Sequence, residues 1–418
     1  MSDIEFALCT NNPPSADFRQ ITNNPPSADY RQITNMENTK NKEREAKAKK
    51  YDKLHNWLFL VDLAITVILL GGIMIGGTNG LSFKLQHFIE KYTGTNQWFV
   101  TAGYVAGLLI IYMVIMLPYS WWKGFYLEHK YELSNQTFLN WIWDEIKSLG
   151  LNLLLGIIVF EIFYALIRGT GAAWWVWAAC AWIALQVILG MLFPVLILPL
   201  FYKTGPLDRP DLQEKLEKLA QRAGVNVLGM FRLDMSEKTK KANAMMAGLG
   251  KTKRILLGDT LLDKFTDGEV VSVLAHEFGH FYHKHIWKLM VIASVLAFGG
   301  MWLADKIMHI TTSALNIGGH QITDIATLPL LLFALTLFGL ITMPITNIIS
   351  RYFERQADLY ALKSTNDVES FITAMERLAD QNLANKEPHP VIEFLMHSHP
   401  SISKRVKFAK KFELMMDV

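Results

Sequence analysis

Apolar residues gather in six blocks, 57–76, 98–117, 149–167, 174–200, 286–310 and 328–350. Each is close to the ~20 residues that carry a helix across a bilayer, so the pattern predicts six membrane spans. Gly72 and Gly76 in the first block form a GxxxG pair suited to close helix packing. Pro194 and Pro199 should kink or unwind the end of the fourth. Of three acids inside the blocks, Asp62 and Asp305 lie near block ends, where water solvates them. Glu161 lies closer to mid-span and points to an internal cavity.

Polarity rises between the fourth and fifth blocks. Leu212, Leu216, Leu219, Ala220 and Ala223 recur at helical spacing up to Gly224, which predicts an amphipathic helix over 211–223. Strand-like runs follow at 227–233, 242–248 and 254–258, and a second amphipathic helix is expected over 368–379. The expected fold class is mainly α, a polytopic helical membrane protein with an α+β soluble part. It divides into a tail (1–35), four spans (36–201), a soluble segment (202–285), two spans (286–350) and a C-terminal soluble segment (351–418).

The tail carries a tandem repeat, TNNPPSADFRQI then TNNPPSADYRQI over 10–33. Its paired prolines and polar residues cannot bury enough apolar area to fold, so a flexible segment is expected. Seven lysines and arginines between Lys40 and Lys53 precede the first apolar block, which predicts a cytoplasmic N-terminus. No cleavable signal is expected, since the first apolar run begins only near residue 57.

Composition agrees with a membrane protein. Half the chain (51%) is hydrophobic and 19% is charged, against roughly a quarter in soluble domains. A net charge of +3 is too small for a nucleic-acid binder. Cys9 and Cys180 stand too far apart in number and sequence for a disulfide scaffold or a cysteine zinc site.

The chemistry concentrates in VSVLAHEFGHFYHKH, residues 271–285. Thr266 with Glu269 reads as a capping box that starts a helix just upstream. On that helix His276 and His280 lie about 40° apart, on one face, as two ligands of one Zn²⁺ require. Glu277 is placed to take a proton from a metal-activated water and pass it to a leaving amine. The plainer reading is an exposed helix with two histidines. A metzincin pattern is excluded, because it needs Gly at 283 and His at 286, where His283 and Ile286 stand. His283 and His285 extend the cluster, as outer partners more readily than as ligands. A third ligand must come from elsewhere, and Glu354 in FERQAD offers one, with Asp358 set to hold the other nitrogen of a ligating histidine. Taken alone, that segment also reads as a solvated helix end. Two spans separate it from the histidine helix, so both emerge on one membrane side, and four spans after a cytoplasmic start make that side cytoplasmic.

Taken together, FPVLILPLF (193–201), Asn243 ahead of Gly248, KTKRILLGDTLL (251–262), VLAHEFGHFYHKH (273–285), FERQAD (353–358) and SHPSISKR (398–405) closely resemble the type I CAAX prenyl proteases. These are integral-membrane zinc metalloproteases of the gluzincin kind, and the resemblance runs from about Pro118 to Val406. It implies one zinc per chain on His276, His280 and Glu354, with Glu277 as general base, inside a helix-walled chamber. It implies further that Asn243 lies on an edge strand that binds extended substrate, and that His399 stabilises the oxyanion while Arg405 lies near it on the substrate side. The residue-level alternatives are a turn-capping Asn243, and a His-Pro helix start followed by a surface Arg405. Met245 and Met246 replace the family's usual aromatic pair, and eukaryotic members carry seven spans rather than six.

The resulting expectation is an endopeptidase that releases the C-terminal tripeptide of prenylated CAAX proteins. A membrane quality-control protease of broad specificity is the rival, and a catalytically silent scaffold or transporter is a more distant one. Expected partners are a peptide or prenylated protein and the lipid bilayer, for a monomer. The membrane would be the endoplasmic reticulum in a eukaryote and the inner or plasma membrane in a bacterium.

Overall fold

The computed structural model describes residues 28–225, 227–314 and 321–416. Most of the repeat lies in residues 1–27, outside the described residues. The chain forms two units, residues 1–44 and 45–418, and the site belongs to the second.

Helix α1 (Ala28–Met74) starts within the second copy of the repeat. It is followed by α2 (Leu81–Thr93) and α3 (Gln97–Ser120), which continues through a π-helical turn at Trp121–Tyr126 into α4 (Leu127–Lys130). α5 (Phe138–Gly169) and α6 (Trp174–Leu192) come next. Pro194 and Pro199 do not unwind the chain: the backbone widens into a π-helical turn at Phe193–Ile197 and resumes as α7 (Leu198–Phe201). A proline removes one i→i−4 bond, and the wider turn accommodates the loss. Among the described residues, six helices are long and apolar enough to cross a membrane, at the six expected places. The 13-residue α2 is about 20 Å long, short of a ~30 Å hydrocarbon core.

Two expectations for these spans change. Gly72 has no atom within 4 Å of an added Cβ, and Gly76 lies past the helix end at φ +99, so the pair makes no packing seam. Asp305 is buried, accepting a hydrogen bond from Trp174 Nε1 at 2.7 Å and pairing with Lys306 at 3.2 Å. Asp62 lines a cavity of about 620 Å³ between spans, with Lys123 Nζ 3.9 Å away. Glu161 leaves its Oε2 buried without a hydrogen-bond partner.

The soluble part opens with β1 (Thr204–Pro206) and α8 (Pro210–Arg222), which buries Leu212, Leu216, Leu219 and Ala220 and stops at Gly224, φ +66. Strands β2 (Met230–Leu233), β3 (Ala244–Ala247) and β4 (Arg254–Gly258) complete a sheet of order β1-β2-β4-β3. Among the described residues β3 pairs with β4 alone, antiparallel, so it is an edge strand. After the short α9 (Asp259–Leu262), α10 (Asp267–Tyr282) carries the histidines. α11 (His285–Ala314) and α12 (Leu328–Thr365) are the last two spans. α13 (Val368–Gln381), α14 (Pro390–Met396) and α15 (Ile402–Met416) finish the chain. Leu216, Ile255, Leu257, Leu274, Phe278, Phe371 and Phe412 form one core beneath the site, while Tyr104, Tyr164, Trp174 and Met308 centre another among the spans.

Candidate active site

The position of α10 is set at both ends. Thr266 Oγ1 accepts from Glu269 N at 3.4 Å and Glu269 Oε2 accepts from Thr266 N at 2.8 Å, the expected capping box. Val270, Val273, Leu274 and Phe278 bury one face in the core. At Gly279 a Cβ would sit 2.8 Å from the Cα of Ala357 and 3.0 Å from its carbonyl oxygen, so only glycine lets α12 approach this closely. That approach brings Glu354 to the histidines.

His276 Nε2 lies 3.2 Å from Glu354 Oε2 and 3.2 Å from His280 Nε2, and His280 Nε2 lies 3.3 Å from Glu354 Oε1. Three ligands at ~2.0–2.1 Å around a tetrahedral ion stand about 3.3 Å apart, so the spacing fits zinc. Glu354 Oε2 is buried and, although close to His276, makes no hydrogen bond of acceptable geometry. A buried carboxylate oxygen in that condition is suited to a cation. Glu277 is half-buried on the same helix.

Asp358, one turn after Glu354, accepts from His276 Nδ1 at 2.9 Å, which aims Nε2 at Glu354. Burial works against protonation of His276, but the hydrogen bond to Asp358 and the nearby Glu354 carboxylate outweigh it and carry its pKa up to about 9. The same negative surroundings favour a bound cation. Arg405, expected near the substrate, is placed behind the site instead. It is 8% exposed, donates to both oxygens of Asp358, and brings Nη2 within 3.2 Å of His276 Nδ1. No pattern in SHPSISKR announces that inward turn; it follows from α15 packing Ala409 and Phe412 into the core.

His399 is exposed on the open side, with Nε2 3.4 Å from Glu354 Oε1 and Nδ1 2.9 Å from Ser398 Oγ. Its loop is tied to α12 by Arg351, which donates to the carbonyls of Glu393 and His397, and by Asn347, which donates to that of Leu395. Asn243 is exposed just ahead of edge strand β3, and its carbonyl accepts from Gly258 N at 2.9 Å. The strand's start is clamped by Asn382, bonded to both N and O of Ala242. His283 sits at the C-cap of α10, edge-on to Tyr282, apart from the converging atoms. A cavity of about 560 Å³ opens beside His280, walled by Leu249, Phe281, Tyr282 and Trp287 with Lys253 at its rim.

Two family models match the chain: "CAAX prenyl protease N-terminal, five membrane helices" over residues 21–203, and "Peptidase family M48" over residues 206–413. The uncharacterized metalloprotease YhfN of Bacillus subtilis is 30% identical over 372 residues, covering 88% of this chain and 86% of that one. The chain belongs to the type I CAAX prenyl protease family, in peptidase family M48. The CAAX prenyl protease 1 homolog of Arabidopsis thaliana is 29% identical, covering 88% and 87% of the two chains. The crystal structure of S. mikatae Ste24p matches with a TM-score of 0.76 at 25% identity, covering 87% of this chain and 88% of that one. This CAAX prenyl protease family member is therefore a multi-pass membrane metalloprotease, mainly helical.

Proposed function

We propose that the protein is a zinc metalloendopeptidase cutting near the C-terminus of prenylated CAAX proteins, from the cytoplasmic side. The convergence of His276, His280 and Glu354 beside Glu277 carries this reading. Those three residues would hold the zinc. When bound, zinc supplies a Lewis acid that polarises the scissile carbonyl and makes water nucleophilic at neutral pH. Glu277 takes the proton of the attacking water and delivers it to the leaving amine nitrogen. Edge strand β3, with Asn243 at its head, pairs with substrate main chain, and His399 donates to the oxyanion as it forms. Asp358 and Arg405 hold the ring of His276.

The mostly apolar walls of the cavity beside His280 favour a lipid-modified substrate. The name of the Arabidopsis relative points the same way. The cytoplasmic side is supported by the basic run 40–53 and the four spans that precede α10. The decisive assay compares a farnesylated CAAX peptide with its unmodified counterpart, before and after chelation and zinc return. Preferential, zinc-restored cleavage of the farnesylated peptide is expected. Equal cleavage of both would assign the protein to broad quality-control proteolysis instead. A cysteine replacing Lys218 should be labelled only from the cytoplasmic face of oriented vesicles.

A further inference from the structure

The two candidate histidine ligands are backed differently. Behind His276 stands the Asp358 carboxylate with its buried arginine. Behind His280 stands another imidazole, His285, whose Nδ1 lies 3.0 Å from His280 Nδ1.

Two ring nitrogens facing each other at that distance share one proton, so one donates and the other accepts. His280 Nε2 faces Glu354 and must remain unprotonated to serve a metal, which puts its proton on Nδ1. His285 therefore accepts at Nδ1 and carries its own proton on Nε2. That nitrogen lies 2.9 Å from Gln356 Oε1, to which it donates, and the Gln356 amide nitrogen donates to Tyr352 Oη at 3.1 Å. One tautomer of each ring satisfies the whole series.

The arrangement is also held mechanically. His285 is 1% exposed and stacked on Phe353, with ring centroids 4.4 Å apart and planes 12° apart. Phe353 and Gln356 flank Glu354 on α12, so the helix that offers the third ligand also anchors this relay. On an unbroken helix, a residue five places after His280 would point about 140° away from it. Here α10 ends, Lys284 takes a left-handed φ of +55, and α11 begins at His285, returning its ring to His280.

We infer that His285, oriented by Gln356, is a positioning residue that fixes the tautomer and aim of His280 toward the metal. The inference rests on reading His276, His280 and Glu354 as zinc ligands.

The test uses the full-length protein in detergent, with zinc affinity measured by chelator competition and the visible spectrum of the cobalt(II)-loaded protein. His285→Phe keeps a ring on Phe353 but removes the acceptor, and should weaken zinc about 10–100-fold and alter the cobalt bands. His285→Asn restores an acceptor near the Nδ1 position and should recover most of that loss. Gln356→Met, which leaves His285 in place, should weaken zinc less than about tenfold, still with a shift in the cobalt spectrum. Parent-like zinc affinity and cobalt bands in His285→Phe would overturn the inference, as would equal losses in the Phe and Asn variants, which would indicate packing alone. If His285→Phe does not fold, parent-like behaviour of Gln356→Met overturns it. A parent protein that takes up no zinc would instead overturn the metal reading on which it rests.

Discussion

Replacing Gly279 with alanine adds one methyl group where two helix backbones nearly touch. The new Cβ would lie 2.8 Å from the Ala357 Cα, whereas carbon atoms rest ~3.5–4.0 Å apart, so α10 and α12 must separate by about 0.7–1.2 Å. Two effects on stability oppose each other: overpacking costs about 1–3 kcal/mol and the better helix propensity of alanine returns about 1. The net loss is therefore small, about 0–2 kcal/mol. The metal site is far less tolerant, because ligand distances hold only within about 0.2 Å. Glu354, one turn from Ala357, moves with α12, so the displacement is several times what the site accepts. Gly279→Ala should thus melt within a few degrees of the parent without metal, yet lose most of the stabilisation that zinc provides, with affinity down at least about tenfold. Chelator competition and melting curves with and without zinc measure both quantities. Gly339→Ala, on α12 with nothing within 4 Å of the added Cβ, is the control and should behave as parent. Unchanged zinc affinity in Gly279→Ala would refute the argument that this contact positions Glu354.

Glu277→Gln should retain zinc while turnover falls about 10²–10⁴-fold, as metal analysis beside single-turnover cleavage will report. Glu354→Gln should lower zinc occupancy and activity together. Asp358→Asn removes the charge opposite a buried arginine, so a folding loss of about 3–5 kcal/mol, seen in chemical denaturation, should accompany weaker zinc. Thr266→Ala breaks the capping box and should cost about 0.5–2 kcal/mol in the same denaturation experiment, with zinc affinity near that of the parent.

Long-period features were legible in the sequence. Spans of some twenty apolar residues, the capped α10 and the amphipathic faces of α8 and α13 depend on local pattern, and the helices form where the pattern lies. His276, His280 and Glu354 could be read as a set because helical spacing and the parity of spans constrain where they emerge. What escaped depends on breaks in periodicity and on three-dimensional approach. His285 is out of phase with His280 until Lys284 turns the chain, and nothing in the letters HFYHKH marks that turn. Arg405 reads as a surface cation until α15 docks and turns it onto Asp358. Gly279 was visible as a letter, but its reason, the backbone of Ala357, belongs to a helix far along the chain.

Helix α12 runs from Leu328, at the far end of a span, through Pro344 to the turn that bears Glu354. At 1.5 Å per residue the arm is about 39 Å, so tilting it by only 1° about its far end would swing Glu354 sideways by about 0.7 Å. Membranes of different thickness impose tilts larger than that. The histidine helix is itself joined through a single sharp turn to α11, and the seam at Gly279 locks it against α12. The two arms must therefore lean together. The expected consequence is that bilayer thickness reaches the candidate site as a shared motion of both arms, so that loosening the seam should make activity depend on the acyl-chain length of the surrounding lipid.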